Sequence, residues 1–246
     1  MPETLILIPS RMSATRLPGK PLLQIGGLPI ISHVFNQAKK TGIGRVVVCT
    51  EDKEILEEVI KNGGEGILTG KHHKTGTDRI FEGFKKLNIK NINYILNLQG
   101  DEPNINENDI INLNNLMIEN DSEIGTLAAK IENDSMFFNN DIVKVCTTQK
   151  LNNKNFPLAL NFERNVSIKE NQNIYHHIGI YSYKVDVLER FVSLNQSKRE
   201  IENKLEQLRA LDNDLKINVA LAKSTPIGVD TEEDYLAIKK IMEYKS

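Results

Sequence analysis

The chain has 246 residues, enough for one large α/β domain or one domain with a sizeable insertion, and its composition, 39% hydrophobic and 26% charged, is ordinary for a packed globular protein. Its formal net charge of −2 gives no general electrostatic reason to bind nucleic acid or an anionic membrane, so an anionic ligand must be met by local basic groups. The cysteines, Cys49 and Cys146, lie in apolar runs and match no zinc motif, which predicts buried free thiols. No secretion signal or membrane-spanning apolar run is evident, which predicts a cytoplasmic protein.

The first half of the chain alternates buried strands with amphipathic helices. Continuous apolar runs predict strands over 4–9, 45–50 and 94–98. Apolar residues at helical spacing predict helices over 30–38, 55–60 and 110–117, and a further helix that opens at 75–79. This alternation predicts parallel pairing in a doubly wound, Rossmann-like α/β sheet, with ligands at the carboxyl ends of the strands.

From about residue 126 the pattern changes. Strands are predicted over 126–131, 142–148, 158–162 and 178–183, with no long helix between them. The chain is therefore interpreted as one domain, 1–246, in which 125–185 forms an antiparallel subdomain. An amphipathic helix over 198–211, a strand over 217–221 and a helix over 231–244 follow.

A basic loop over 10–22 follows the first predicted strand. Arg11, Arg16 and Lys20 could grip phosphate oxygens, as guanidinium and ammonium groups commonly do. Small residues would let the backbone approach a ligand closely: Ser13, Ala14 and Gly19. A solvated basic loop is the alternative interpretation. The loop lacks the glycine fingerprint of dinucleotide-binding proteins and the complete P-loop pattern, which disfavours an NAD-dependent dehydrogenase.

Carboxylates follow another predicted strand and precede the last helix. Asp101 and Glu102 follow the strand at 94–98 after two residues, and there a carboxylate can hold Mg²⁺ while phosphate oxygens and water take its other positions. Asp230 lies in a second turn, before the closing helix. From the residues alone, Asp230 or Thr231 could simply cap that helix.

Six segments, in consistent order and spacing, carry a family resemblance. They read PSRMSATRLPGKPL at 9–22, TGTDR at 75–79, LQGDEP at 98–103, HIGIY at 177–181, LEQLR at 205–209 and GVDTEED at 228–234. Together they resemble the acidic-sugar cytidylyltransferases, above all the 3-deoxy-manno-octulosonate (Kdo) cytidylyltransferase, or CMP-Kdo synthetase, family. The resemblance implies a nucleotide-diphospho-sugar transferase fold and transfer of CMP from CTP to the anomeric hydroxyl of Kdo. CMP-Kdo and pyrophosphate would be the products, and the sugar would be activated for lipopolysaccharide synthesis.

The resemblance also implies roles for particular residues. Those implied for catalysis are Arg11, Lys20, Asp101 and Asp230, the two aspartates as ligands of Mg²⁺. Those implied for the nucleotide are Ser10, Arg11, Arg16, Lys20, Thr77 and Arg79. Those implied for the sugar are Gln99, Arg164, His177, Tyr181, Glu206 and Gln207. A homodimer built through 125–185 is expected as well.

One segment departs from the family pattern. The residues around Arg164, over 162–168, lack the usual Ser-Arg followed by an Ile-Pro-aromatic run. Arg164 is carried over as a carboxylate-binding residue, but 8-amino-3,8-dideoxy-manno-octulosonate or a nonulosonic acid remains open as the sugar. A catalytically silent nucleotide-binding protein is the alternative from a different functional class.

Overall fold

The computed structural model describes residues 3–13, 16–166 and 173–244. The chain divides into two compact units, Met1–Ile110 with Pro226–Ser246, and Ile111–Thr225. The antiparallel region predicted at 125–185 falls within the second unit. Ala14 of the basic loop, and residues 167–168 of the segment that departs from the family pattern, lie outside the described residues.

Strands and helices alternate from the start of the described chain. Up to residue 119 they are β1 (Glu3–Ser10), a 3₁₀ turn (Lys20–Leu22), β2 (Gln24–Ile25), β3 (Leu28–Pro29), α1 (Ile30–Lys40), β4 (Gly44–Thr50), α2 (Lys53–Lys61), β5 (Gly66–Leu68), α3 (Gly76–Leu87), β6 (Ile92–Asn97) and α4 (Glu107–Glu119). Beyond it they are β7 (Ile124–Ala129), α5 (Ser135–Phe138), β8 (Lys144–Thr147), β9 (Ala159–Glu163), β10 (Ile174–Lys184), α6 (Val185–Ser193), α7 (Lys198–Asn203), α8 (Gln207–Leu211), β11 (Ile217–Leu221) and α9 (Glu232–Glu243). No helix within the described residues is both long enough and apolar enough to cross a membrane.

The first unit contains a parallel sheet in the strand order β6-β1-β4-β5. The chain winds outward from β1 to β4 and β5, and α3 then returns it to β6 on the other side of β1. Because such crossovers are right-handed, α3 must lie on the face opposite α1 and α2. Cys49 of β4 accordingly packs against α3, where its sulfur occupies the space that a Cβ on Gly83 would need. These features confirm the predicted doubly wound arrangement.

The carboxyl ends of β1, β4 and β6 meet at one edge of this sheet, because the strands are parallel. The residues that directly follow are the basic loop after Ser10, Glu51 and Asp52 after Thr50, and Gln99 to Asp101 shortly after Asn97. The point where the winding reverses lies between β1 and β6, which is where open α/β sheets bind ligands. The topology therefore brings the basic loop and the first predicted metal ligand to the same edge.

In the second unit, β7 pairs with β11 in parallel and with β10 in antiparallel fashion. β8 pairs in antiparallel fashion with both β10 and β9, which confirms the predicted change of pattern. Phe162 and Phe191 are almost completely buried in this unit. Helix α6, which supplies Phe191, was not anticipated from the sequence.

The single amphipathic helix predicted over 198–211 is wrong. The chain forms two short helices, α7 and α8, because Lys204 adopts a left-handed conformation with φ of 54° and ends α7. The break lets Leu205 bury with 4% exposure, whereas Ile201, which the periodicity placed on the same side, is 60% exposed. Glu206 consequently lies at the start of α8 rather than in mid-helix.

Both cysteines are free thiols, as predicted. Cys49 is buried, and burial raises the pKa of its thiol to about 12. Cys146 is only half-buried, so the prediction that both thiols are buried holds for Cys49 alone.

Candidate active site

The basic loop after β1 folds back on itself and turns Lys20 inward. Gly19 begins the 3₁₀ turn with φ of 74°, a left-handed conformation that glycine adopts without a steric penalty. Its N–H donates to the carbonyl oxygen of Met12 at 3.0 Å. The N–H of Met12 in turn donates to Asp52 Oδ2 at 2.7 Å, which ties the loop to the end of β4.

Lys20 joins the two predicted metal ligands. Its Nζ lies 2.6 Å from Asp101 Oδ2 and 3.1 Å from Asp230 Oδ1, and it also donates to the carbonyl oxygen of Val229 at 2.8 Å. The backbone N–H of Val229 donates to the carbonyl oxygen of Asp101 at 2.9 Å, so the two turns are held together directly. Burial opposes the charge of Lys20, but Asp101 and Asp230 outweigh it, and the pKa of Lys20 is raised.

These groups line a cleft of about 350 Å³, here called the strand-end cleft. Its lining comprises Pro9, Ser10, Arg11, Arg16, Lys20, Pro21, Thr75, Gly76, Arg79, Gln99, Gly100, Asp101 and Asp230. Arg16 pairs with Asp230 Oδ2 at 2.7 Å, and both Arg11 and Arg16 are exposed. Cations and carboxylates thus line one concave surface, as a nucleotide and a divalent cation together require.

Capping of α9 is performed by Thr231 and not by Asp230. Thr231 Oγ1 accepts from the N–H of Asp234, and the Asp234 carboxylate accepts from the N–H of Thr231, forming a capping box. The side chain of Asp230 therefore remains directed to Lys20 and Arg16. The structure resolves the alternative that the sequence left open.

Glu102 adds a third carboxyl group to this region. Burial raises its pKa to about 8, with further contributions from the charges of Asp101 and Asp230. Its Oε2 is buried and has no hydrogen-bond partner among the described residues. Repulsion among neighbouring carboxyl groups and a set of purely oxygen donors suit a hard divalent cation such as Mg²⁺.

The residues of the TGTDR motif that line the strand-end cleft differ in part from those that the family resemblance implied. Thr75 caps the helix by accepting from the N–H of Asp78, and it lines the strand-end cleft together with Gly76. Thr77, expected near the nucleotide, is 2% exposed, and its hydroxyl lies 3.5 Å from Asn97 Nδ2. Its side chain is not among those that line the cleft.

Arg79 is an unfavourable residue for the first turn of a helix, where the helix dipole repels cations. The structure supplies a reason for it, because Arg79 forms a buried ion pair with Glu51 Oε2 at 2.5 Å. Its guanidinium also donates to Thr69 Oγ1 at 2.8 Å. Arg79 therefore has protein partners, and it lines the strand-end cleft as well.

The second unit contains most of the residues expected to bind the sugar. His177 is buried on β10, and its Nε2 lies 3.1 Å from both Thr126 Oγ1 and the Tyr181 hydroxyl. Its ring meets that of Phe162 edge-to-face at 5.0 Å. Burial lowers the pKa of His177 to about 3, helped by nearby His176, so the imidazole is neutral at neutral pH. Burial also raises the pKa of Tyr181.

Arg164 lies at a turn held by a buried lysine. Its guanidinium donates to the carbonyl oxygens of Asn140 at 3.0 Å and Asn203 at 3.4 Å. Lys144, which is 1% exposed, donates to the carbonyl oxygens of Asn139 and Arg164, each at 2.6 Å. Two basic side chains, Lys144 and Arg164, therefore lie at this turn.

Glu206 and Gln207 occupy the start of α8 in the same unit. Gln207 is 9% exposed and Glu206 is half-buried. Both side chains are thus more buried than polar residues on a helix usually are, since such residues commonly face the solvent. The structure therefore leaves both side chains in a partly enclosed position suited to polar recognition.

Sequence reasoning missed several residues at the strand-end cleft. Glu51 does not line the cleft itself but pairs there with Arg79, and it was detectable because it directly follows β4 at the same edge of the sheet. Thr75 and Gly76 belong to the TGTDR motif, but neither was assigned a role at the site. Ser10 was expected near the nucleotide, and its buried Oγ has no hydrogen-bond partner among the described residues, as a ligand contact would explain.

Comparisons with known proteins identify similar chains. The family model described as Cytidylyltransferase matches residues 5–217. A 3-deoxy-manno-octulosonate cytidylyltransferase of Bartonella tribocorum is 42% identical, over 98% of each chain. The enzyme of the same name from Rhodopseudomonas palustris is 43% identical, over 99% of each chain.

A solved structure is also similar. It is that of CMP:2-keto-3-deoxy-manno-octonic acid synthetase complexed with CTP, with a TM-score of 0.90 at 32% identity. The match covers 99% of this chain and 100% of that one. From its motifs, its fold and these similarities, the chain belongs to the cytidylyltransferase family.

Proposed function

We propose that this chain transfers CMP from CTP to the anomeric hydroxyl of Kdo and releases pyrophosphate. The observation that carries the proposal is the convergence of Lys20 on Asp101 and Asp230 in a cleft that also contains Arg11 and Arg16. The names of the relatives at 42–43% identity support Kdo as the acceptor. The product, CMP-Kdo, would be the activated form of the sugar for lipopolysaccharide synthesis.

In this proposal Asp101 and Asp230 hold Mg²⁺, which when bound would acidify the anomeric hydroxyl and neutralise charge on the α-phosphate. Asp101 follows β6, and Asp230 is freed for this role because Thr231 caps α9. Lys20 occupies the space between the two carboxylates. It is therefore placed to hold them together and to contribute positive charge where the nucleotide's phosphates bind.

The transfer forms a bond between the anomeric oxygen and the α-phosphorus, while the bond from that phosphorus to the bridging oxygen of pyrophosphate breaks. The hydroxyl proton is released to solvent. Arg11, Arg16 and Lys20 stabilise the charge that develops on the departing pyrophosphate. Positioning and electrostatics supply the rate enhancement, and the mechanism requires no histidine as a base.

For the sugar, polar contacts are assigned to Gln99, Arg164, His177, Tyr181, Glu206 and Gln207. The cationic turn at Arg164 and Lys144 suits the carboxylate of an acidic sugar. Neutral His177 and the Tyr181 hydroxyl suit its hydroxyl groups.

A pyrophosphate-release assay tests the proposal. CTP, UTP and ATP are compared with Kdo and Mg²⁺, and then Kdo, 8-amino-3,8-dideoxy-manno-octulosonate and N-acetylneuraminate are compared with CTP. We expect the highest kcat/KM with CTP and Kdo. A preference for another acidic sugar would change the acceptor, and CTP binding without pyrophosphate release would identify a silent nucleotide-binding protein.

The Asp101→Asn variant tests the role of the carboxylate. We expect turnover to fall by ~100-fold or more, the scale on which one preorganised charge-stabilising group acts. The same substitution at exposed Asp214 is the matched control and should leave turnover unchanged. Near-normal turnover in Asp101→Asn, with an unchanged circular dichroism spectrum, would refute the role in metal binding.

The proposal also retains a homodimer built through 125–185 and a cytoplasmic location, which would give access to CTP. The exposed side chains of Phe138 and Leu160, at 69% and 59%, are apolar surface that a partner could cover. Sedimentation velocity of the purified chain tests the dimer. A Phe138→Ser variant that remains dimeric would place the interface elsewhere.

A further inference from the structure

Two histidines and a glutamate converge outside the residues that line the strand-end cleft. His72 and His73 lie between β5 and α3, and Glu82 lies on α3. Each can offer one ligand atom, and these atoms lie within 4.8 Å of one another. The imidazole rings of the two histidines are 4.2 Å apart between centroids, so both side chains face the same region.

Local packing holds this cluster in place. A Cβ on Gly70 would lie 2.5 Å from His72 Nδ1 and 3.2 Å from Glu82 Oε2, so the absence of a side chain at Gly70 leaves room for the His72 ring in this position. The N–H of Gly70 donates to the Glu82 carboxylate, at 3.1 Å to Oε1 and 3.0 Å to Oε2. The backbone thus anchors the carboxylate while the imidazoles approach it.

The two carboxylate oxygens of Glu82 have different side-chain partners. Oε1 pairs with Lys86 at 2.6 Å, and Oε2 contacts His73 Nε2 directly. Although burial opposes ionisation, hydrogen bonds from Lys86, His73 and Gly70 outweigh it and lower the pKa of Glu82 to about 2. Glu82 therefore carries a negative charge throughout the neutral range, and its Oε2 faces the histidines.

Two imidazoles and one carboxylate are a donor set for borderline metal ions, whereas Mg²⁺ prefers oxygen ligands alone. We propose that His72, His73 and Glu82 bind a divalent transition-metal ion such as Zn²⁺, at a site distinct from Asp101 and Asp230. The ion takes the place of the direct contact between His73 Nε2 and Glu82 Oε2, with each of these atoms as a ligand. Lys86 keeps its contact with Oε1, and water completes the coordination shell.

Metal binding here would restrain the segment that leads into α3. This segment begins at Gly70, whose carbonyl oxygen accepts from Arg79 at 3.3 Å, and it ends at Thr75 in the strand-end cleft. The ion would connect the segment to α3 through ligands on both. The inference does not depend on which nucleotide or sugar the chain uses.

The test is a titration of the untagged, chelator-treated full chain with Co²⁺ in excess Mg²⁺, followed by the visible absorption of bound Co²⁺. We expect a single Co²⁺ per chain, displaced by Zn²⁺, since Zn²⁺ binds such sites more tightly. His72→Ala and His73→Gln should each weaken binding by ~10-fold or more, the scale reported for loss of groups that support a metal site. Lys71→Ala, an exposed neighbour that offers no ligand in this cluster, is the matched control and should bind as the unmodified chain does.

Thermal unfolding provides an independent measurement. Zn²⁺ should raise the unfolding midpoint of the unmodified chain and of Lys71→Ala, because a ligand that binds only the folded state stabilises it. It should not do so for His72→Ala. Absence of Co²⁺ absorption, or equal affinity in the histidine variants and the unmodified chain, would overturn the proposal, whether or not the chain releases pyrophosphate.

Discussion

Neutral His177 should make the stability of this protein depend on pH in a defined way. Burial, together with nearby His176, lowers the pKa of His177 from 6.5 to about 3 in the folded state. An unfolded chain binds a proton at this position near pH 6.5, whereas the folded chain does not until near pH 3. The lowered folded-state pKa therefore gives full stability above pH ~6.5, and the stability is lost as the pH falls towards the folded-state value.

The magnitude follows from the two pKa values. Between them, each unit of pH costs about 1.4 kcal/mol of unfolding free energy once the unfolded histidine is protonated. His177 alone therefore lowers the free energy of unfolding by roughly 1.4 kcal/mol when the pH falls from about 7.5 to about 5.5. The variant His177→Gln keeps a polar side chain beside Thr126 and Tyr181 and removes the titrating group.

Urea unfolding followed by far-ultraviolet circular dichroism at these two pH values measures the effect. Other titrating groups contribute equally to both proteins, so the quantity of interest is the difference between them. We expect the unmodified chain to lose about 1.4 kcal/mol more than His177→Gln on acidification. An identical pH dependence in the two proteins would show that His177 titrates close to its unfolded value and would refute the reasoning.

Two further predictions concern ion pairs. Lys20→Met should lower the unfolding free energy by about 1–2 kcal/mol, a discounted value because Asp101 and Asp230 are partly exposed, and added Mg²⁺ should restore part of the loss in urea unfolding. Arg209→Met should cost about 3–5 kcal/mol, because it leaves Glu200 charged and buried, both side chains being 4% exposed. The double variant Arg209→Met/Glu200→Gln should recover much of that loss in the same measurement, and a loss equal to the single variant's would contradict the argument.

Much of the fold was predictable from the sequence because its signals are local. Strands β1, β4 and β6 are continuous apolar runs, and the cap at Thr75 depends only on a contact with Asp78, three residues later in the chain. The basic loop and Asp101 were placed at strand ends by the same reasoning. The failure over 198–211 has a tertiary cause. Lys204 turns left-handed so that Leu205 reaches the core, and periodicity within one segment carries no information about that contact.

The sequence by itself determined the alternating strands and helices of the first half of the chain, which carboxylates and cations follow the strands, and which family the motifs resemble. Only the tertiary structure decided which of these groups meet. Lys20 and Asp230 are 210 positions apart in the chain, yet Nζ and Oδ1 lie 3.1 Å apart. Arg79 forms an ion pair with Glu51, and Asp230 can contact Lys20 because Thr231 caps α9. The spacing of hydrophobic residues is a property of each local segment. The strand order β6-β1-β4-β5 brings the ends of separate elements together, and it depends on packing across the whole sheet.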